Sequence, residues 1–170
     1  MPDISEGGLT FQFPVNWEVS KYDEWSFYRN QFQGVCGGAK AVDMLALSPE
    51  RRTWLVEVKD YRVDRRTKPT ELAEEVAHKV RDTLAALVCA RLNANDQEEK
   101  KLASQVLRSR SLGVALHLEQ PARSSRLFPR AIDPASIKQK LKQLLKAVDA
   151  HPKVFEMGQM RDAPWTVVER

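Results

Sequence analysis

The sequence of 170 residues is long enough for one domain with a substantial core and leaves little room for a second. Hydrophobic residues make up 42% and charged residues 29%, a balance typical of globular proteins that excludes a disordered chain. The formal charge of +4 is compatible with a polyanionic partner but does not establish one.

No targeting or membrane segment is recognisable in the sequence. The first ten residues, MPDISEGGLT, lack a basic region and an apolar region, and the apolar run LAALVCA is too short to span a bilayer. The two cysteines, Cys36 and Cys89, match no metal or redox spacing. They predict free thiols in a reducing cytoplasm, with a single disulfide as the alternative. We therefore expect a cytoplasmic protein without membrane contact.

The first predicted elements alternate between strand and helix patterns. Residues 8–13 (GLTFQF) predict a short strand that ends at Pro14. Residues 16–32 predict a helix, because Trp25, Tyr28 and Phe32 share one helical face, and the glycines of GVCGG end it. Residues 39–47 (AKAVDMLAL) and 53–61 (TWLVEVKDY) predict two strands of a hairpin closed by SPERR.

The second half of the chain predicts more helix than strand. Residues 71–92 predict a long helix with an apolar stripe, which comprises Leu72, Val76, Val80, Leu84, Leu87 and Val88. A polar helix follows, and residues 111–121 then predict a strand covered on both faces. Asp133 and Pro134 begin a further helix, and KVFEM and PWTVVER supply short strands.

This order predicts a single-domain α/β sandwich with a mixed β-sheet flanked by helices, not a run of regular βαβ repeats. No glycine-rich phosphate loop follows a predicted strand, which disfavours a nucleotide-binding fold.

Charged residues interrupt both strands of the predicted hairpin. Glu57 and Lys59 are two residues apart within an apolar strand and therefore project from the same face. Asp43 lies between Val42 and Met44 in the partner strand. Because an unpaired buried carboxylate is costly, Asp43 is expected to have a partner or to bind a cation. Closing the hairpin brings Asp43 towards Glu57 and Lys59 if their faces agree.

Two carboxylates and a lysine on paired strands suit a Mg²⁺ or Mn²⁺ site. Asp43 and Glu57 can supply oxygen ligands to an ion that prefers phosphate as a further ligand. Such a metal activates a bound water, and Lys59 can orient that water or neutralise developing charge.

The hairpin motif VD followed by EVK resembles the PD-(D/E)xK nuclease superfamily, which has the restriction-endonuclease-like fold. The resemblance covers roughly residues 22–118, within a core of about 16–120, and Val42 replaces the proline of the motif. It implies metal-dependent hydrolysis of DNA phosphodiester bonds, with Asp43, Glu57 and Lys59 as catalytic residues and Asp43 and Glu57 as metal ligands. Two other Glu-x-Lys pairs, Glu98/Lys100 and Glu99/Lys101, lie in a polar helical stretch and are expected to be solvated.

Three further residues are candidate accessory groups. Glu24 is a possible extra acidic ligand, although a solvated glutamate is the alternative and Glu18 and Asp23 compete for the role. Lys79 lies beside the stripe of the long helix, where it either approaches the site or extends from the core edge into solvent. His117 is predicted to be a buried histidine bonded to a neighbour, with a supporting role near the metal as the alternative.

Basic segments offer candidate nucleic-acid contacts. The loop that follows Lys59 carries Arg62, Arg65, Arg66 and Lys68, which are predicted to contact DNA phosphates. Each of the other basic segments is, by itself, typical of an ordinary solvated loop; these are Arg51/Arg52, Arg108/Arg110 and Arg123/Arg126/Arg130.

The sequence as a whole predicts a metal-dependent nuclease that acts on DNA, with a homodimer or a partner protein supplying specificity. The first alternative is a weakly active or inactive subunit of the same fold that serves DNA binding or assembly in a repair or defence complex. The second is a hairpin ion pair in an unrelated enzyme, which would be favoured if Asp43 and Glu57 pointed to opposite faces of the sheet.

Overall fold

Two β-sheets and a helical layer are stacked in the computed structural model, which describes residues 2–64, 66, 71–121 and 132–170. The elements, in chain order, are β1 (Asp3–Glu6), β2 (Leu9–Gln12), β3 (Glu18–Lys21), β4 (Met44–Leu47), β5 (Arg52–Asp60), α1 (Leu72–Asn93), α2 (Gln97–Val106), β6 (Ser111–Glu119), α3 (Pro134–Leu144), β7 (Lys153–Phe155) and β8 (Thr166–Glu169). Short 3₁₀ or π-helical turns span Tyr22–Glu24, Tyr28–Phe32, Val35–Gly37 and Met157–Gln159.

The larger sheet has the order β3-β4-β5-β6-β7 and is mixed. β3, β4 and β5 pair antiparallel, whereas β5, β6 and β7 pair parallel. Parallel neighbours need crossover connections, which α1 with α2 and then α3 provide. The smaller sheet, β1-β2-β8, is antiparallel. The predicted α/β architecture with a mixed sheet is confirmed.

The larger sheet is buried on both faces, which explains the continuous apolar runs of its inner strands. One face packs Leu45, Leu55 and Leu116 against the helices. The other packs Val56 and Ala115 against the smaller sheet. Alternation along β5 therefore sends odd-numbered residues to the helical layer and even-numbered residues to the small sheet.

Several predicted elements are confirmed and others are corrected. The hairpin, the long helix, the polar helix and the start of α3 at the Asp133 N-cap all lie where the sequence placed them. The helix predicted at residues 16–32 is wrong in its first part, because Glu18–Lys21 form β3, an edge strand paired with β4, and only short helical turns follow. Trp25, Tyr28 and Phe32 are nevertheless buried. Val88, which was assigned to the core stripe, is 51% exposed.

In the described ranges, no helix has both the length and the apolar character needed to cross a membrane. The two cysteines there are free thiols. The cytoplasmic location remains a prediction.

Gly113 in β6 makes room for a tryptophan. It is paired with Trp54 of β5, and a Cβ at this position would lie 2.6 Å from Trp54 Cε3. The indole is held between the Arg52 guanidinium, 4.3 Å from the ring centre, and an edge contact with Trp165. Trp54 therefore has little freedom to move aside.

Gly113→Ala is accordingly expected to lower the free energy of unfolding by about 2 kcal/mol through overpacking. Urea unfolding measures this change. Gly158→Ala is the matched control, because no atom lies within 4 Å of that added Cβ. Equal unfolding midpoints for the two variants would show that Trp54 repacks freely.

Candidate functional site

Asp43 and Glu57 face each other across the β4–β5 hairpin. Met44 pairs with Val56, and one step further along the same register sets Asp43 opposite Glu57. Both residues are odd-numbered positions on the face covered by the helices, as are Leu45 and Leu55. The opposite-face arrangement, which would have favoured a hairpin ion pair in an unrelated enzyme, is therefore not the one observed.

The Asp43 carboxylate is partly bonded to the backbone. Its Oδ2 accepts a hydrogen bond of 2.7 Å from the N–H of Val58. Its Oδ1 lies 3.6 Å from the ammonium of Lys79. One oxygen is thus fixed by the sheet, and the other faces a cation.

The Glu57 side chain is fully buried and lies between two lysines. Its Oε1 is 2.5 Å from Lys79 Nζ and 2.8 Å from Lys59 Nζ. Its Oε2 has no hydrogen-bond partner among the described residues. A buried carboxylate oxygen without a partner is costly unless it carries a proton or meets a cation.

The ion pairs continue from Glu57 towards the loop after β5. Lys59 also lies 3.2 Å from Glu75 of α1, and the other Glu75 oxygen is 2.9 Å from Arg66. Arg66 donates a further hydrogen bond of 3.0 Å to the Tyr61 hydroxyl. We call the six alternating groups the charge chain, and in order they are Asp43, Lys79, Glu57, Lys59, Glu75 and Arg66.

The environment of the charge chain shifts its proton equilibria. Burial, reinforced by the charge of Asp43, raises the pKa of Glu57 to about 7, despite attraction by Lys79 and Lys59. Burial likewise raises the pKa of Asp43, against the influence of Lys79 and of the Val58 N–H. Burial alone would lower the pKa of Lys59, but Glu57 and Glu75 outweigh it and the pKa is raised. Perturbed carboxyl groups of this kind are typical of functional sites.

An open cleft of about 530 Å³ lies beside the charge chain. Its lining comprises Asp23, Tyr28, Arg29, Gln33, Lys40, Ala41, Asp43, Glu75 and Lys79. The Oδ1 atom of Asp23 is buried without a partner among the described residues. Burial and the nearby charge of Asp43 raise the pKa of Asp23. The cleft therefore gives solvent access to the end of the charge chain formed by Asp43 and Lys79.

Helix α1 contributes two charged residues to the site, Glu75 and Lys79, and only Lys79 was named from the sequence, as an accessory candidate. Lys79 contacts both Asp43 and Glu57, so it belongs to the charge chain. Glu75 was not identified at all, although it is buried. The helical repeat could have predicted both positions. Glu75 and Lys79 are four residues apart, and they lie on the same face of α1 as Val76 and Val80. Two charges on the buried face of α1 were the available signal.

Two accessory candidates lie away from the charge chain. Glu24 has a side chain that is 50% exposed and pairs with Lys21, which agrees with the solvated glutamate that was the alternative to an extra ligand. His117 is buried on the other face of the sheet, where its Nε2 lies 2.9 Å from Glu119 and its ring meets Phe11. Residues of β6 alternate faces, so His117 cannot reach Glu57. His117 is thus a buried histidine close to a carboxylate of its own strand, on the face of the sheet away from the charge chain.

The basic loop after β5 is only partly described. Arg62 pairs with Asp60 and Glu169, and Arg66 is engaged with Glu75 and Tyr61. Arg65 and Lys68 lie outside the described residues. Phosphate contact by this loop remains a prediction.

Within the part of the chain that the structure describes, no three His, Cys, Asp or Glu side chains are arranged to hold a metal ion. A cation at the hairpin would therefore have Asp43 and Glu57 as its protein ligands and water in its other positions. Mg²⁺ accepts such an arrangement because it retains several waters when it binds one or two carboxylates.

Comparison with known proteins finds a similar sequence within a tRNA ligase. The chain is 32% identical, over an alignment of 211 residues, to Cysteine--tRNA ligase of Neisseria meningitidis serogroup A / serotype 4A. The alignment covers 98% of this chain and 30% of that protein, so the chain spans about a third of its relative. Neither a protein-family model nor a solved structure matches.

This match overturns the predicted function. A chain aligned along nearly its whole length with a tRNA ligase is not assigned as a metal-dependent DNA nuclease. The nuclease activity and the inactive DNA-binding alternative were therefore wrong. The position of Asp43 opposite Glu57 and the ion pair between Glu57 and Lys59 are independent of that assignment and remain as described.

Proposed function

We propose that this chain is an RNA-binding domain related to a tRNA ligase, and that its cleft receives phosphates of tRNA. The observation that carries the proposal is the alignment of 98% of the chain with a cysteine–tRNA ligase. It favours tRNA over DNA as the polyanionic partner. The formal charge of +4 is compatible with either polymer.

An RNA-binding role suits this portion of a ligase better than a nucleotide-binding role. The crossovers from strand to helix, at residues 61–71 and 120–133, contain no glycine. Nucleotide phosphates usually approach a helix N-terminus through a glycine-rich turn after a strand. We therefore assign this chain to contacts with RNA.

The cleft offers suitable groups for a phosphate. Arg29 and Lys40 are exposed on its wall, and Lys79 lies at the end of the charge chain. Cations that neutralise backbone phosphates supply most of the affinity of non-specific nucleic-acid binding. The Tyr28 ring also lines the cleft and gives it one apolar face beside these charges.

A divalent cation fits the same place. The partnerless Oε2 of Glu57 and the Oδ1 of Asp43 are acceptor atoms without hydrogen bonds to the backbone. We propose that they hold Mg²⁺, which would add positive charge and exchangeable water positions for a phosphate oxygen. The bound cation, together with Lys59 and Lys79, would then keep Glu57 ionised.

We further propose that the mixed sheet and its hairpin carboxylates belong to the restriction-endonuclease-like fold. The antiparallel β3-β4-β5 unit, the parallel β6 and the opposed Asp43 and Glu57 support this proposal. Fold and activity are separable, because function resides in sites placed on a fold.

Replacing the cleft cations tests the tRNA proposal. Arg29→Gln combined with Lys40→Gln is expected to weaken binding of a labelled cysteine-tRNA transcript by about tenfold. The slope of log affinity against log salt should fall by about 1.5, since about two phosphate contacts are lost. Fluorescence anisotropy at several salt concentrations measures both.

Lys138→Gln combined with Lys142→Gln is the matched control, because it removes two exposed charges from the polar side of α3. It should change binding by less than about twofold. Wild-type protein should also bind the transcript more tightly than duplex DNA with the same number of phosphates. Equal affinity for the two polymers, or equal losses in both variants, would contradict the proposal.

A further inference from the structure

Two arginine pairs from separate chain segments meet at the end of the sheet away from the charge chain. Arg51 and Arg52 lie at the β4–β5 turn, and Arg108 and Arg110 lie between α2 and β6. The segments are tied together, because the Arg110 N–H donates to the Arg51 carbonyl at 2.7 Å. The Arg51 guanidinium in turn donates to the carbonyl of Arg108.

We propose that these four residues, the arginine end, form a second phosphate-binding surface for the same RNA. The identity of the polymer rests on the proposed function, whereas the surface itself rests on charge and geometry. Arg51, Arg108 and Arg110 are exposed. In the described part of the chain, none of the four arginines forms an ion pair.

Two carboxylates nearby, Glu18 and Glu50, offset only part of this charge. Glu18 lines the adjoining cavity but accepts its hydrogen bond from Gln105, at 2.8 Å. Glu50 is exposed, and a hydrogen bond from Ser48 holds its pKa below the usual range. Four arginines therefore lie beside two carboxylates, and the exposed side chains of Arg51, Arg108 and Arg110 leave this surface with excess positive charge for an external anion.

The arginine end is held in place before any ligand arrives. Arg51 has a φ of +62°, a left-handed conformation that is unfavourable for arginine and that the two loop contacts maintain. Arg52 lies over the Trp54 ring, and Arg108 Nε donates to the Ser104 carbonyl at 3.1 Å. Fixed side chains lose less entropy on binding, so each contact contributes more affinity.

The geometry favours the backbone of a long polyanion. A cavity of about 420 Å³ between Arg51 and Arg108 is also lined by Asn16 and Gln105, which can donate to phosphate oxygens. Guanidinium groups bind phosphate through two parallel hydrogen bonds. Arg52 is five residues from Glu57 along β5, a separation of about 17 Å. A folded RNA can span that distance, whereas one free phosphate cannot.

The test replaces Arg108 and Arg110 together by glutamine and measures binding of the cysteine-tRNA transcript. We expect affinity to fall about tenfold and the salt slope to fall by about 1.5. Lys138→Gln with Lys142→Gln again controls for loss of two positive charges. Arg108→Lys with Arg110→Lys should preserve the slope and weaken binding about threefold, because charge remains while the paired hydrogen bonds are lost.

The outcomes separate the two proposals. If wild type binds tRNA and the glutamine variant matches the lysine control, the arginine end is not a binding surface, and the cleft assignment stands. If wild type binds tRNA no better than DNA, the proposed function fails before any variant is made, and the inference fails with it. The melting temperature shows whether the glutamine variant is folded. If it is unfolded, the Arg→Lys variant decides: the inference is overturned if that variant has the affinity and the salt slope of wild type.

Discussion

Raising the pH from about 4.5 to about 7 is expected to cost the metal-free protein about 3 kcal/mol of folding stability through Glu57. The folded-state pKa of Glu57 is raised from 4.5 to about 7. In this window the unfolded chain has released the Glu57 proton while the folded chain still binds it. Rising pH therefore favours unfolding, and each pKa unit corresponds to about 1.4 kcal/mol.

Glu57→Gln isolates this contribution, because glutamine preserves the shape of the side chain and does not titrate. Urea unfolding from pH 4.5 to 8 measures the unfolding free energy of wild type minus that of the variant. This difference should decrease as the pH rises and should level off above about pH 7. A difference that does not vary with pH would show that Glu57 ionises normally, and that Lys59 and Lys79 outweigh its burial.

Divalent cation binding is expected to depend wholly on the hairpin carboxylates. Mn²⁺ or Mg²⁺ should bind wild type in calorimetric titration, and Asp43→Asn should abolish the signal by removing one ligand charge. Asparagine can still accept the Val58 N–H, so the variant is expected to fold. At a cation concentration 100 times the dissociation constant, wild type should gain about 2.7 kcal/mol of stability.

Glu24→Gln provides the matched control, because Glu24 pairs with Lys21 and lies outside the charge chain. It should bind the cation as wild type does. Because the cation favours ionised Glu57, binding near pH 6 should release a proton and remove most of the pH dependence described above. Equal cation affinity in Asp43→Asn and wild type would rule out the hairpin as the site.

The nuclease prediction, which was wrong, shows what a short motif can and cannot specify. Asp43, Glu57 and Lys59 were predicted to converge because strand periodicity and the hairpin turn determine their faces, and the contacts between them follow. The reaction does not follow from the same residues. Carboxylates and lysines in contact can hold a cation, neutralise each other or bind phosphate. The similarity to a cysteine–tRNA ligase came from comparison of the whole sequence and not from this motif.

Local patterns were sufficient for elements whose signals lie within one segment. α1 has a sustained helical period, and α3 begins at an aspartate N-cap followed by proline. The prediction failed at residues 16–32, where β3 exists because Glu18–Lys21 pair with β4. Such pairing depends on a strand more than twenty residues away. The spacing of Trp25, Tyr28 and Phe32 favoured a helix over the whole segment, including the residues that form β3.

The sequence by itself thus determined the α/β class, the hairpin and the convergence of Asp43, Glu57 and Lys59, since each depends on periodicities of two or 3.6 residues. Only the tertiary structure decided that Lys79 and Glu75 complete the charge chain, that His117 faces away from it, and that Arg51 meets Arg108. These contacts join segments that are distant in the chain. They depend on which strands pair and which helix covers which face, and no local pattern encodes that choice.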